Sequence, residues 1–283
     1  MIKLLFLLAT LIPKNLVSWF VGCVTRSRLL GPLLKSVFLG LYKLNMDEAE
    51  HPASYYPSLE DLFTRALKPG ARQIAKPLCS PADGTLARAG AATNGLAVQA
   101  KGLDYELKTL VYGQDPVPSD FDAAWFQTVY LAPYNYHRVH APVSGDVTAL
   151  RYIPGQLWPV NQPAVAGVPR LFARNERLTF DFRLPGGGRV WAVMVGALNV
   201  GRIVTPLLPD LVTNSASRQL SCKQTEHRFA VPRKLSAGDE IGTFMLGSTV
   251  ILVFDKVATA ALKPVAIADG RPILMGQPLG QGG

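Results

Sequence analysis

The stretch FMLGSTVIL, residues 244–252, resembles a core β-strand with an interruption in its middle. Apolar residues lead into it, and aliphatic residues continue after it as far as Phe254. Gly247-Ser248-Thr249 is an unfavourable centre for such a strand, because glycine weakens a strand and buried hydroxyls need hydrogen-bond partners. Either the strand bends here, or the Gly247–Ser248 peptide bond has a chemical role.

Short β-type runs separated by Gly, Pro, Asn and Asp surround this stretch from about Leu78 onwards. The predicted strands include Thr128–Leu131, Val147–Ile153, Leu178–Leu184, Val190–Val195 and an interrupted Phe244–Phe254. Loops such as LPGGGR, residues 184–189, suit hairpin connections. The sequence therefore predicts an α+β fold with a mostly antiparallel β catalytic core.

One helix is predicted before these strands. Ser58 resembles an N-cap, and Lys68-Pro69-Gly70 ends the helical pattern. The apolar face of this helix comprises Leu59, Leu62, Phe63, Ala66 and Leu67. The polar residues from Asn45 to Pro57 resemble a linker, so we expect two parts, residues 1–45 and a catalytic domain of residues 46–283.

Composition narrows the class of protein. A chain of 283 residues can bury a substantial core, and a hydrophobic content of 48% excludes a disordered protein. The net charge of +9 favours an anionic partner. The basic residues form no long run and no nucleic-acid motif, so we expect an acidic lipid surface and no nucleic acid. Three distant cysteines predict neither a disulfide framework nor a zinc site and fit a reducing cytoplasmic setting.

The first 45 residues are apolar in separate pieces. Pro13-Lys14-Asn15, Arg26 with Arg28, and Gly31-Pro32 divide them, so no piece has the roughly 18 uninterrupted apolar residues of a spanning helix. Lysines and arginines recur between the pieces, which is typical of short helices lying in the surface of an anionic membrane. We predict peripheral attachment to the cytoplasmic face of the cell membrane. A signal peptide and a buried helical hairpin are the alternatives.

Two of the four histidines, His137 and His140, lie in YNYHRVHAP, residues 134–142. The bracketing prolines, Pro133 and Pro142, disfavour a helix that would bring both imidazoles to one metal ion, so we predict no metal site. Asp83, in the turn signature PADG of residues 81–84, could orient a histidine that activates Ser248. The GxSxG elbow of serine hydrolases is absent. A purely structural role for both histidines is the alternative.

These motifs together resemble those of bacterial phosphatidylserine decarboxylases, a family of self-processing pyruvoyl enzymes. The likeness covers roughly Leu59 to Leu279, and seven motifs in family order are more specific than LGST alone. The motifs are PADG (81–84), YHRVH (136–140), PGQL (154–157), FARNER (172–177), VGA (195–197), GDEIG (238–242) and LGST (246–249).

The resemblance implies self-cleavage between Gly247 and Ser248. The Ser248 hydroxyl would attack the Gly247 carbonyl, activated by His140, which Asp83 would hold. β-Elimination of the resulting ester would release residues 1–247 and leave dehydroalanine at position 248. The dehydroalanine would take up water and lose ammonia, so that the small chain, residues 248–283, begins with a pyruvoyl group. We expect the two chains to stay associated, and a homodimer of that pair is left open.

The pyruvoyl group made from Ser248 is the cofactor that the resemblance implies. It would form a Schiff base with the amino group of phosphatidylserine and accept the electrons released as CO₂ departs, giving phosphatidylethanolamine. His137 is the candidate for returning a proton to the substrate or for holding its carboxylate. The alternatives are a pyruvoyl decarboxylase of another amine, a serine hydrolase that is not processed, and a non-enzymatic lipid-binding protein.

Overall fold

The strand that begins at Ser248 lies inside an eight-stranded antiparallel sheet. The computed structural model describes residues 14–100, 102–198, 202–215, 223–245, 248–266 and 270–281. Every residue of this strand, Ser248–Asp255, is buried, so both faces of the sheet are covered at this point. Such burial explains the continuous apolar run Val-Ile-Leu-Val-Phe, which shows no alternation.

The described elements follow one another in a β-rich order. The strands are β1 Gly84–Ala91, β2 Leu96–Ala100, β3 Leu103–Glu106, β4 Ala123–Leu131, β5 Arg138–His140, β6 Gly145–Ile153, β7 Arg177–Arg183, β8 Arg189–Val195, β9 Ile203–Val204, β10 Thr225–Leu235, β11 Glu240–Phe244, β12 Ser248–Asp255 and β13 Arg271–Ile273. The helices are α1 Lys14–Thr25, α2 Gly31–Leu41, α3 Leu59–Phe63, α4 Leu107–Tyr112, α5 Gln162–Gly167, α6 Leu171–Arg174 and α7 Lys256–Leu262, with a 3₁₀ turn at Ala53–Tyr55.

The described residues form three sheets, all from antiparallel pairs. The large sheet has the order β10-β6-β7-β8-β12-β4-β1-β13, a smaller one has the order β5-β11-β9, and β2 pairs with β3. Wholly buried aromatic side chains, including Trp191, Phe180 and Phe254, fill the core around the large sheet. The predicted α+β class with a mostly antiparallel core and a helical N-terminal region is confirmed.

The prediction of one interrupted strand over Phe244–Phe254 is wrong. β11 ends at Phe244 in the small sheet, and β12 begins at Ser248 in the large sheet. The chain therefore passes from one sheet to the other where the sequence showed an interruption. Gly247 lies outside the described residues, whereas Ser248 and Thr249 are ordinary members of the buried strand.

The helix predicted from Leu59 is shorter than its apolar pattern. Ser58 and Asp61 form the expected capping box, but the helix ends at Phe63. Beyond it, Leu67 forms a β-bridge with Ala49, and these backbone contacts draw the chain out of the helical path. The segment predicted as a linker thus packs against the residues that follow α3.

The N-terminal helices are held against the β core by polar as well as apolar contacts. The Lys14 ammonium lies 3.9 Å from the centre of the Trp158 ring, and the Asn15 amide donates to the Gly155 carbonyl at 3.2 Å. The Phe38 ring of α2 lies 6.0 Å from the Phe63 ring of α3. Within the described ranges, none of the helices is long and apolar enough to cross a membrane.

Candidate active site

Ser248 lies at the first position of β12, between two neighbouring strands. It is opposite Leu131 of β4, and its hydroxyl donates a hydrogen bond to the carbonyl of Val195 at the end of β8. The side chain is completely buried. A serine in this position is held by strands on both sides, which fixes the direction of its hydroxyl.

His140 is joined to the PADG segment through the backbone. Its N–H donates to the Pro81 carbonyl at 2.8 Å, which brings the two predicted motifs side by side. Its imidazole Nδ1 donates to the Gly238 carbonyl at 2.7 Å, so Nε2 carries the lone pair and accepts from the Tyr136 hydroxyl at 3.0 Å. Burial lowers the pKa of His140, which favours this neutral form. An imidazole with its lone pair on Nε2 can act as a base there.

Gly238 supplies the carbonyl that orients His140 and has a φ of +93°, which side chains with a Cβ rarely adopt. The residue belongs to the GDEIG motif, residues 238–242. This backbone conformation explains why a glycine occurs two residues before β11.

Asp83 does not form a hydrogen bond with His140 in the described structure. Its carboxylate accepts from the Arg72 guanidinium at 2.8 Å and from the backbone N–H of Met275 at 2.7 Å. The negative charge of Asp83 is nevertheless close enough to raise the pKa of His140 slightly against the larger effect of burial, which lowers it. The structure thus places the predicted Asp–His pair on neighbouring segments, with Arg72 and Gly238 as the direct partners.

His137 lies just before β5 and is completely buried. Its Nδ1 donates to the Asn135 carbonyl at 2.8 Å, while its Nε2 has no hydrogen-bond partner among the described residues. The ring stacks on Phe63 with the centroids 3.9 Å apart. Burial lowers the pKa of His137 to about 3, so its imidazole is neutral at pH 7. An unpartnered buried nitrogen is costly unless it has a use.

A cavity of about 390 Å³ joins Ser248 to the N-terminal helices. Its wall is mostly apolar, and Phe63, the residue on which His137 stacks, belongs to it. The lining residues beside Ser248 are Val21, Thr25, Phe38, Tyr42, Leu59, Phe63, Tyr130, Leu131, Pro133, Pro159, Val160, Asn161, Ala197 and Leu198. Such a wall suits an apolar ligand with a small polar head.

Several residues that contact the candidate site residues belong to the sequence motifs, but the motifs do not predict these contacts. Tyr136 and Gly238 lie inside quoted motifs, but nothing in the sequence indicated that both bind His140. Arg72 was missed altogether, because a single arginine in a loop carries no local signal. Within the part of the chain that the structure describes, no group of three or more His, Cys, Asp or Glu could hold a metal ion.

Known proteins with similar sequences agree with the motifs. Residues 59–281 match the family model for phosphatidylserine decarboxylase. A phosphatidylserine decarboxylase proenzyme from Pseudomonas fluorescens is 37% identical over 99% of this chain and 98% of its own length. The proenzymes of Anaeromyxobacter sp. (95% of each chain) and Alcanivorax borkumensis (89% of this chain and 87% of its own) are both 38% identical.

A buried serine at the head of a core strand, opening into a mostly apolar cavity, is a candidate site for chemistry on an apolar substrate. The chain belongs to the phosphatidylserine decarboxylase family. The predicted family, and with it the prediction of a decarboxylase made as a proenzyme, is therefore confirmed.

Proposed function

We propose that this chain cleaves itself between Gly247 and Ser248 and then decarboxylates phosphatidylserine to phosphatidylethanolamine at the new end of β12. The observation that carries this proposal is the position of Ser248, which is buried between β8 and β4 and opens into a cavity walled by α1 and α2. Helices that face both a lipid surface and the reacting residue would let a lipid reach Ser248 while its acyl chains stay in the membrane.

Self-cleavage requires a base for the Ser248 hydroxyl. We assign this role to His140 by the position of its motif in the family, and its Nε2 carries the lone pair that a base needs. The Tyr136 hydroxyl occupies that lone pair in the described structure, so His140 would exchange this partner when it takes the proton. Asp83, held by Arg72, would stabilise the imidazolium electrostatically after proton transfer.

The cofactor that we propose is a pyruvoyl group formed from Ser248. The position fits such a group, because a side chain at the head of β12 is enclosed by protein and borders the apolar cavity. When formed, the group would supply a carbonyl that combines with the substrate amine and acts as an electron sink during loss of CO₂.

His137 is proposed to move a proton during the decarboxylation. Its Nδ1–H is already bound to the Asn135 carbonyl, so the free position is the Nε2 lone pair. A lone pair cannot donate a hydrogen bond to a carboxylate, whereas it can accept a proton from the substrate ammonium and return it to the carbon that CO₂ leaves. Of the two roles open for His137, the tautomer therefore favours proton transfer.

The N-terminal helices are proposed to bind the protein peripherally to the cytoplasmic face of the membrane. Large apolar side chains of this region are strongly exposed, including Phe20 at 61%, Leu29 at 89%, Leu33 at 64% and Leu41 at 73%. An apolar patch of this kind is typical of a membrane-contact surface. Association of the two cleaved chains as a dimer of heterodimers stays a prediction.

Intact mass spectrometry of the purified protein tests the proposed function. We expect two chains that meet between residues 247 and 248, with the small chain lacking a free amino terminus. Treatment with an amine and cyanoborohydride should add the reduced amine to the small chain only. A single unmodified chain in a folded sample would contradict the proposal and favour the non-enzymatic lipid-binding alternative.

A further inference from the structure

A second pocket lies on the other side of α3 from the Ser248 cavity. It has a volume of about 300 Å³ and shares no lining residue with that cavity. Leu59 and Phe63 of α3 line the Ser248 cavity, whereas Asp61 of the same helix lines the second pocket. The other residues important here are Glu50, His51, Tyr55, Tyr56, Arg65 and Arg138.

Arg65 provides a buried guanidinium in the wall of this pocket, and two of its nitrogen atoms lack hydrogen-bond partners among the described residues. The residue is only 3% exposed, and its single hydrogen bond is a long one, from Nη2 to the Tyr134 carbonyl at 3.4 Å. Its Nε and Nη1 have no hydrogen-bond partner among the described residues. A buried guanidinium with two unsatisfied donor groups is expensive, so an anionic ligand is the natural complement.

Tyr56 adds a second buried donor to the same wall. It is 6% exposed, and a backbone donor of His51 lies near its hydroxyl oxygen, but the O–H itself has no acceptor among the described residues. The segment that carries it is fixed from outside, because the Lys35 ammonium of α2 donates to the carbonyls of Ala53 and Tyr56. The pocket therefore lies directly beside one of the proposed membrane helices.

The outer part of the pocket has the opposite charge. Glu50 and Asp61 are both exposed. One carboxylate oxygen of Asp61 accepts the hydrogen bonds of the Ser58 capping box. The exposed Tyr55 ring stacks on His51 with the centroids 3.8 Å apart. The pocket thus has buried donors on the inside, which suit an anion. Its opening is acidic and aromatic, and this part suits a cation.

We propose that this pocket binds a phosphoethanolamine group, with the phosphate against Arg65 and Tyr56 and the ammonium at Glu50 and Asp61. Such a group occurs as the headgroup of phosphatidylethanolamine and as the free phosphomonoester. A phosphoserine group is disfavoured, because its additional carboxylate would meet the acidic opening. The inference concerns a pocket without Ser248, so it does not depend on the proposed cleavage.

Calorimetric titration of the full chain tests the proposal, with wild type and Ser248→Ala compared so that reaction at Ser248 is separated from binding. We expect phosphoethanolamine to bind both proteins alike, and to bind about tenfold or more tightly than inorganic phosphate or phosphoserine. Absence of binding, or equal affinity for all three compounds, would overturn the proposal.

Variants in the Ser248→Ala background locate the ligand. Arg65→Met should weaken binding about tenfold or more, and Tyr56→Phe about fivefold, because each removes a donor to the phosphate. Arg228→Met is the matched control, since its side chain is 71% exposed on the edge strand β10. If Arg228→Met and Arg65→Met weaken binding equally, the loss is caused by the change in net charge, and the assignment of the ligand to this pocket is refuted.

The unfolding temperature of Arg65→Met shows whether Arg65 serves a ligand or stabilises the fold. Without ligand, Arg65→Met should unfold at the same or a higher temperature than its parent, because it removes a buried guanidinium whose Nε and Nη1 lack hydrogen-bond partners among the described residues. A structural role predicts the reverse, a large loss of thermal stability in the absence of ligand. That result would overturn the proposal.

Two further measurements test the ammonium half and the source of the group. Glu50→Gln should reduce the preference for phosphoethanolamine over inorganic phosphate, and an unchanged preference would contradict the assigned orientation.

Vesicles of phosphatidylcholine with and without phosphatidylethanolamine then separate lipid from free ligand. An increase in binding caused by phosphatidylethanolamine and lost in Arg65→Met identifies the lipid headgroup, whereas no increase overturns the lipid as occupant and retains the free phosphomonoester.

Discussion

At the scale of residues, Ser248 combines a reactive side chain with complete burial and a fixed hydroxyl. We expect Ser248→Ala to leave the chain as one piece, because Ser248 carries the hydroxyl that adjoins the proposed cleavage bond. Thr249→Val is the matched control, since the neighbouring Thr249 hydroxyl is buried and lacks a hydrogen-bond partner among the described residues. Denaturing gel electrophoresis checks both variants. Normal splitting of Ser248→Ala would contradict the assigned nucleophile.

His140 and Asp83 are expected to be needed for the same event. His140→Ala and Asp83→Asn should both slow splitting at least about 100-fold, because the first removes the base and the second the charge that supports it. Tyr136→Phe is the comparison variant, since it frees the Nε2 of His140 without removing the imidazole. The time course of splitting after synthesis measures all three. A fully split and active His140→Ala protein would refute the assignment.

His137 is expected to act after cleavage. His137→Ala should still split, because His140 supplies the base for that step, yet it should release CO₂ from phosphatidylserine at least about 100-fold more slowly. Release of labelled CO₂ from the processed variant is the measurement. Unchanged decarboxylation, or loss of splitting as well, would contradict the division of roles between the two histidines.

Burial of these histidines also predicts how stability depends on pH. The pKa of His137 is lowered to about 3 in the folded protein, whereas an exposed histidine titrates near 6.5. The unfolded chain therefore binds a proton more readily, and stability should fall as the pH drops below about 6.5. Urea unfolding of Ser248→Ala at pH 5 and pH 7.5 measures this effect. His137→Gln should show a weaker dependence on pH, and an equal dependence would assign the effect to other groups.

At the scale of elements, α1 and α2 are expected to control membrane binding. Phe20→Asp with Leu33→Asp should reduce flotation with anionic vesicles about tenfold or more, because each replaces an exposed apolar side chain by a charge. Splitting should continue, since neither residue lines the Ser248 cavity. Val231→Asp on β10, where Val231 is 78% exposed, is the matched control. Equal loss in the control would assign the effect to charge alone.

Element positions were predictable wherever local chemistry decided them. The strands β6, β7 and β8 begin and end within two residues of their predicted bounds, and Ser58 caps α3 as its sequence indicates. The end of α3 was not predictable, because the bridge from Leu67 to Ala49 is a tertiary contact. The division between β11 and β12 was not predictable either, because the sheet that an apolar run joins is also decided by tertiary contacts.

The site was predictable in its motifs and not in its hydrogen bonds. Ser248, His140 and Asp83 stand out through the residues around them, whereas the contact of Asp83 with Arg72 joins a motif to a loop without one. The carbonyl of Gly238 likewise reaches His140 from almost a hundred residues away in the sequence. Such partners depend on how the small sheet is placed against residues 79–83.

At the scale of the whole molecule, the order of the large sheet gives β12 neighbours from the preceding part of the chain on both sides. β8 lies along one edge of β12 and β4 along the other. A break before Ser248 would leave residues 248–283 held by two ladders of backbone hydrogen bonds and by a buried core.

This placement makes refolding differ before and after maturation. In the precursor, β12 is joined covalently to β4 and β8 and can pair with them within one chain. After separation, the small chain would have to find the large chain at low concentration, and the large chain would have to keep the space between β8 and β4 free for β12. An unfolded mature enzyme would therefore recover poorly where its uncut precursor recovers well. Folding would thus take place in one chain, whereas the mature structure would consist of two chains that cannot easily fold again once they are separated.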